Sequence, residues 1–191
     1  MTARSDPPEA SSNQPRRYFA FLRAINVGGR RLTNDELLAP FVGLGLREVA
    51  AYQAAGNITF VSDEPDTVRP DRLEAAAGEA YGFRSSVFVR SHAELSAIGR
   101  PGPFSAHEMA GTEGRVQVAF LQITPDASTV AEALALVPAG ERVVFRDRAW
   151  CWLPVRGISD SQLPVRAIED LVGPTTIRTL GTVERMLDKF G

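Results

Sequence analysis

Cysteine is nearly absent from this chain. Cys151 stands alone, so no intramolecular disulfide can form. It lies in Trp150-Cys151-Trp152, inside an apolar run, and reads as a buried, inert thiol. Such sparing cysteine use fits a reducing cytoplasm. Histidine is scarce too. His107-Glu108 has no second histidine four residues on, so it is not a zinc motif, and His92 falls beside a helix cap, where solvent is expected. No metal site is expected. An excess of basic charge is also missing. The net charge is -2, which removes the bulk electrostatic signature of a nucleic-acid binder. No apolar run is long enough to cross a membrane. No GxGxxG, GxxxxGK[ST] or GxSxG occurs, so dinucleotide cofactors, P-loop phosphate binding and a nucleophile elbow find no support, and no cofactor is expected.

What is present is a patterned globular chain. Of its 191 residues, 44% are hydrophobic, enough to build a proper core. Residues 1–17 are polar and rich in proline and serine, and are expected to form a disordered tail. From residue 18 the pattern alternates. Residues 18–24 read as a buried strand. Thr33 and Glu36 form a capping box that opens a helix, with Pro40 expected to shorten or bend it. Residues 48–54 and 57–62 read as strands joined around Gly56-Asn57. A second helix has Pro70 in its first turn and Gly82 at its end. Residues 84–90 form a fourth strand, so Phe19, Phe21, Phe60 and Phe88 are expected in the core.

The order then returns. Residues 115–123 read as a strand, and Asp126 caps a helix. Residues 141–146 and 149–155 read as strands around Asp147-Arg148. Ser159 and Gln162 suggest another capping box, residues 175–179 a short strand, and 182–191 an extra helix. Each half has the strand–helix–strand–strand–helix–strand order of a split βαβ unit. The expected fold is α+β: two ferredoxin-like (βαββαβ) halves in tandem, with antiparallel sheets and an extra C-terminal helix. The expected divisions are tail 1–17, first half 18–90, connector 91–114, and second half with the last helix 115–191. In the connector, Ser91 and Glu94 cap a short helix, and the Gly/Pro-rich remainder reads as loop.

In such a half the first and third strands are neighbours. The loop after strand one therefore meets the hairpin before strand three. That edge gathers Arg23, Asn26, Gly28, Gly29, Arg30, Arg31, Gln53 and Asn57. Successive N–H groups of a Gly-Gly loop can cradle an anion, and arginines can grip one bidentately. The same glycines could equally serve only to turn the chain. A second, weaker cluster comprises Arg156, Ser159, Ser161, Arg178 and Thr182, with Arg156 expected to face Arg178. Glu169 and Asp170 are adjacent on a helix and so are expected to point to different faces.

Four stretches carry a family resemblance: "FLRAINVGG", "YQAAGNITF", "PVRGISDSQL" and "TTIRTLGTVERML". In their order they resemble the family catalogued as domain of unknown function number 1697, over residues 17–190. The resemblance implies a small bacterial protein with an α+β fold and no established activity. Departures stand out. Where this chain has Ala24 the family usually has glycine, and Ala54-Ala55 replace Gln-Ser. Asp160 and Gln162 stand at usually basic positions, and Thr179-Leu180-Gly181 replaces Asn-Trp-Asn. The reading from sequence is a cytoplasmic protein whose first-half edge binds a small anionic ligand or an anionic group. The alternatives are a module that self-associates through its sheets into a homo-oligomer, or an enzyme of unassigned reaction at the same edge. Membrane and nucleic-acid partners are not expected.

Overall fold

The computed structural model describes residues 15–25, 31–53, 56–110, 112 and 114–191. The first half contains β1 (Arg16–Leu22), α1 (Asn34–Gly43), β2 (Arg47–Ala51), β3 (Asn57–Ser62), α2 (Pro70–Tyr81) and β4 (Val87–Ser91). Two helices follow, α3 (His92–Gly99) and α4 (Ala106–Met109). The second half runs β5 (Gln117–Phe120), α5 (Ala127–Ala135), β6 (Arg142–Arg146), β7 (Ala149–Leu153), α6 (Val165–Val172), β8 (Thr176–Thr179) and α7 (Leu180–Phe190). The sheets have the orders β2-β3-β1-β4 and β6-β7-β5-β8, antiparallel throughout. This is the ferredoxin-like arrangement twice over.

Strand alternation decides how the halves meet. Phe19 and Phe21 of β1 point one way, and Tyr18, Ala20 and Leu22 the other. The second set packs under α1 and α2 with Leu37, Phe41 and Leu73. The first set faces the other sheet and joins Val118, Phe120 and Cys151 in a core closed by α3 and α7. Phe21 and Phe120 stack at its centre, with centroids 4.1 Å apart and planes 10° off parallel. The outer face of the second sheet carries Trp150 and Trp152 under α5 and α6. Both sheets are thus covered on both faces.

The contacts are reciprocal. Leu22 N bonds Gly56 O as Leu121 N bonds Arg148 O. Arg90 of β4 reaches across to Leu121 O and lies over Phe120, while Arg178 of β8 reaches across to Leu22 O and lies over Phe21. Ser91 caps α3 and Thr179 caps α7, and these two helices pack together. The extra helix at the end of the second half, α7 after β8, has a counterpart in α3 after β4.

Local chemistry explains most element ends. Thr33–Glu36 and Ser91–Glu94 are complete capping boxes, and Asp126 accepts from Thr129 N. Gly82 ends α2 at φ +71°, the left-handed region glycine favours. Pro40 lies inside α1, which continues to Gly43 without a break. Two expectations are corrected. The connector is not loop after α3, because Ser105 and Glu108 form a further capping box that opens α4. The helix expected from Ser159 instead begins at Val165. Pro164 disfavours helical backbone at Leu163 before it, so the chain makes a 3-10 turn over Ile158–Asp160 and restarts.

Candidate functional site

At the end of β1 the chain turns beneath the β2–β3 hairpin. Gly56 sits at φ +68° directly against this turn. A Cβ there would come within 2.8 Å of Ile25 Cδ1 and 3.2 Å of Leu22 Cβ. Only glycine satisfies both the backbone and the space. Ala24 also adopts a left-handed backbone, at φ 60°. For alanine that conformation costs roughly 1–2 kcal/mol, which explains why glycine suits this position. Gln53 is left-handed and exposed.

Asn57 opens β3 and is 1% exposed. Its Nδ2 donates to Tyr52 O at 3.1 Å, and its Oδ1 accepts from Arg178 Nε. Arg178 also donates to Thr176 Oγ1, Ile177 O and Leu22 O. Burial pulls its pKa down to about 10. Asn57 and Arg178 thus pin one half to the other. Arg90 does the same on the opposite side, and burial draws its pKa down to about 9, with Arg148 adding to the effect.

Arg23 follows β1 and leans on the second half. Its guanidinium meets the Glu169 carboxylate of α6 at 3.3 Å. Glu169 Oε1 is held independently by Thr175 N at 3.0 Å and Thr175 Oγ1 at 2.5 Å. Beside this pair opens a cleft of about 630 Å³, lined by Arg23, Val165, Arg166, Glu169, Asp170 and Pro174. Glu169 and Asp170, expected on different faces, both border it. Arg166 is exposed on the same helix.

The expected first-edge residues therefore divide. Arg23 lines the cleft, Arg31 is exposed ahead of α1, Gln53 is exposed at the hairpin, and Asn57 is buried as a strut. Asn26, Gly28, Gly29 and Arg30 lie outside the described residues. The second cluster is also split. Arg156 borders a separate cavity of about 290 Å³ with Glu141, Asp160 and Gln162. Ser159 is exposed nearby, and Ser161 Oγ accepts from Leu163 N. Arg178 instead joins Asn57 between the sheets, and Thr182 is buried against Thr179 at the start of α7. Inward-facing strand positions separate Arg178 from the Arg156 loop. Among the described residues no group of three or more His, Cys, Asp or Glu side chains could hold a metal.

Comparison of the halves sharpens this edge. A family model described as a protein of unknown function, DUF1697, matches residues 16–150. The chain belongs to that family. The match runs from β1 into β7 and includes the whole first half with its Gly-Gly loop. The chain is also similar to a solved structure, a conserved bacterial protein, SP0830, from Streptococcus pneumoniae. That likeness has a TM-score of 0.69 at 22% identity, over 92% of this chain and 98% of the other. At that identity it speaks for the fold. No curated protein matches. Among the described residues no helix is long and apolar enough to cross a membrane.

Within this DUF1697 chain, Arg23 corresponds to Gln122. Gln122 Nε2 reaches Glu74 Oε1 of α2 at 2.7 Å, just as Arg23 reaches Glu169. Glu74 also takes Val87 N, as Glu169 takes Thr175 N. Sequence reasoning missed Arg166 and set Glu169 and Asp170 aside as pointing to different faces, although all three line the cleft. The available signal was Glu74 and Glu169 standing at equivalent places ahead of β4 and β8.

Proposed function

We propose that this protein binds a small ligand through its anionic group, in the cleft between the end of β1 and α6. The supporting observation is a break in the reciprocity of the halves, concentrated at this edge. Ten residues, 23–32, separate Leu22 from the cap Thr33. Four, 122–125, separate the corresponding Leu121 from the cap Asp126. Five residues, 52–56, join β2 to β3, whereas two, 147–148, join β6 to β7. Packing needs only the shorter connections, and extra loop length at one place is where binding groups accumulate.

Arg23 carries the same argument in its charge. The bridge to the helix glutamate is made on the other side by neutral Gln122. A guanidinium is not needed for that bridge. Its side chain remains 38% exposed toward the cleft. Arg166 adds a second cation. Because Thr175 holds Glu169, Arg23 can turn to a ligand without leaving that carboxylate bare. Self-association through sheet faces finds less support, since both faces of each sheet are packed.

Thermal-shift titration with inorganic phosphate and a panel of small carboxylates tests the reading. The wild type should be stabilised by at least one of these anions. Arg166→Ala should weaken that response about tenfold while leaving the unliganded melting temperature nearly unchanged. The residue is exposed, and charge-assisted contacts in a site are worth about 1.5–3 kcal/mol. If no anion stabilises the wild type, or the variant responds equally, the cleft is not an anion site.

A further inference from the structure

We infer that the ligand of this cleft is a zwitterion of about dipeptide size, its carboxylate held by Arg23 and Arg166 and its ammonium by Asp170. The inference rests on the anion-binding reading above and goes further by naming the ligand class.

The charge count of the lining is the first argument. Two arginines and two acids surround the cleft. Arg23 and Glu169 are paired. Among the described residues neither Arg166 nor Asp170 has an ion-pair partner. A plain anion engages Arg166 alone and is held more weakly, because the Asp170 carboxylate beside it offsets part of the attraction. A ligand bearing one charge of each sign uses both.

Spacing supplies the second argument. Arg166 and Asp170 are four apart on α6, so their Cβ atoms lie about 5–6 Å from each other on one face. An extended chain spans at most about 3.3–3.6 Å per residue, so two residues place their termini about 7 Å apart. The apolar part of the lining is the third. Val165 and Pro174 offer a surface for an aliphatic side chain. The volume of about 630 Å³ leaves room for a molecule of that size.

Three probes decide the matter: alanylleucine, N-acetylalanylleucine, which lacks the ammonium, and alanylleucinamide, which lacks the carboxylate. Isothermal titration to the full-length protein should show alanylleucine binding at least tenfold more tightly than either blocked form. Asp170→Asn should erase the preference for the free amine. Arg166→Gln should weaken alanylleucine and its N-acetyl form by the same factor. Circular dichroism of both variants should match the wild type, since both side chains are exposed. Equal binding of the free and N-acetylated dipeptides overturns the zwitterion and leaves the anion site standing. So does binding of inorganic phosphate without binding of alanylleucine. Failure of every probe, phosphate included, overturns both.

Discussion

At the scale of single residues, burial converts reactive-looking groups into structural ones. Cys151 is fully buried in β7, and that burial pushes its thiol up to about 12. Below that pH it stays protonated and shielded, and the thiolate is the nucleophile. Native protein at pH 8 should therefore react with a thiol reagent far more slowly than protein in denaturant. Comparable rates in the two conditions would show that the β7 face opens readily. Asn57 carries the same lesson for polar groups. It looks like a hairpin residue free to meet a ligand, but its carbonyl oxygen is committed to Arg178. Leaving a buried guanidinium N–H unpaired costs about 1–3 kcal/mol or more, so such positions are fixed by folding.

At the scale of elements, helix caps decide boundaries and set a dependence on acid. Asp126 accepts from Thr129 N and Ser128 Oγ at the start of α5, and these bonds lower its pKa from 3.8 to about 2. A depressed carboxylate stabilises the fold above its unfolded pKa, and the contribution disappears as pH falls through the folded value. The stability due to Asp126 should be complete above about pH 4 and lost between there and about pH 2. Asp126→Asn keeps an oxygen acceptor but does not titrate. Its stability, followed by urea denaturation from pH 5 to pH 2, should fall less steeply than that of the wild type. Parallel curves would mean that the cap is not formed in solution.

At the scale of the molecule, the halves depend on one another. Phe21 and Phe120 stack across the interface, and each half's buried arginine donates to a carbonyl oxygen of the other. Neither half could keep these groups dry and paired alone. Both tryptophans lie in β7 of the second half, while Phe21 lies in β1 of the first. Phe21→Ala should cost about 3–5 kcal/mol, as large-to-small changes in a packed core do. It should shift the tryptophan fluorescence transition in denaturant together with the circular dichroism transition. A tryptophan transition that stays put while the rest of the signal moves would show that the halves unfold separately.

Much of this was legible in the sequence because it is written in local chemistry. Alternating apolar residues give strands, S/T-x-x-E gives helix starts, and glycine after a helix gives its end. These rules find β1 through β8 and the repeated order of the halves, and with that order the neighbourhood of Arg23 and the β2–β3 hairpin. They fail where two local signals compete, as at Ser159, where Pro164 resets the helix start. They also pass over Ser105–Glu108 amid glycines and prolines. What only the tertiary structure decided is which groups remain available. Asn57 and Arg178 meet across 121 residues of chain, and Arg23 and Glu169 across 146. No local periodicity encodes such pairs. They exist because the two halves pack against each other, and polar groups brought to that boundary take partners from whichever half lies opposite.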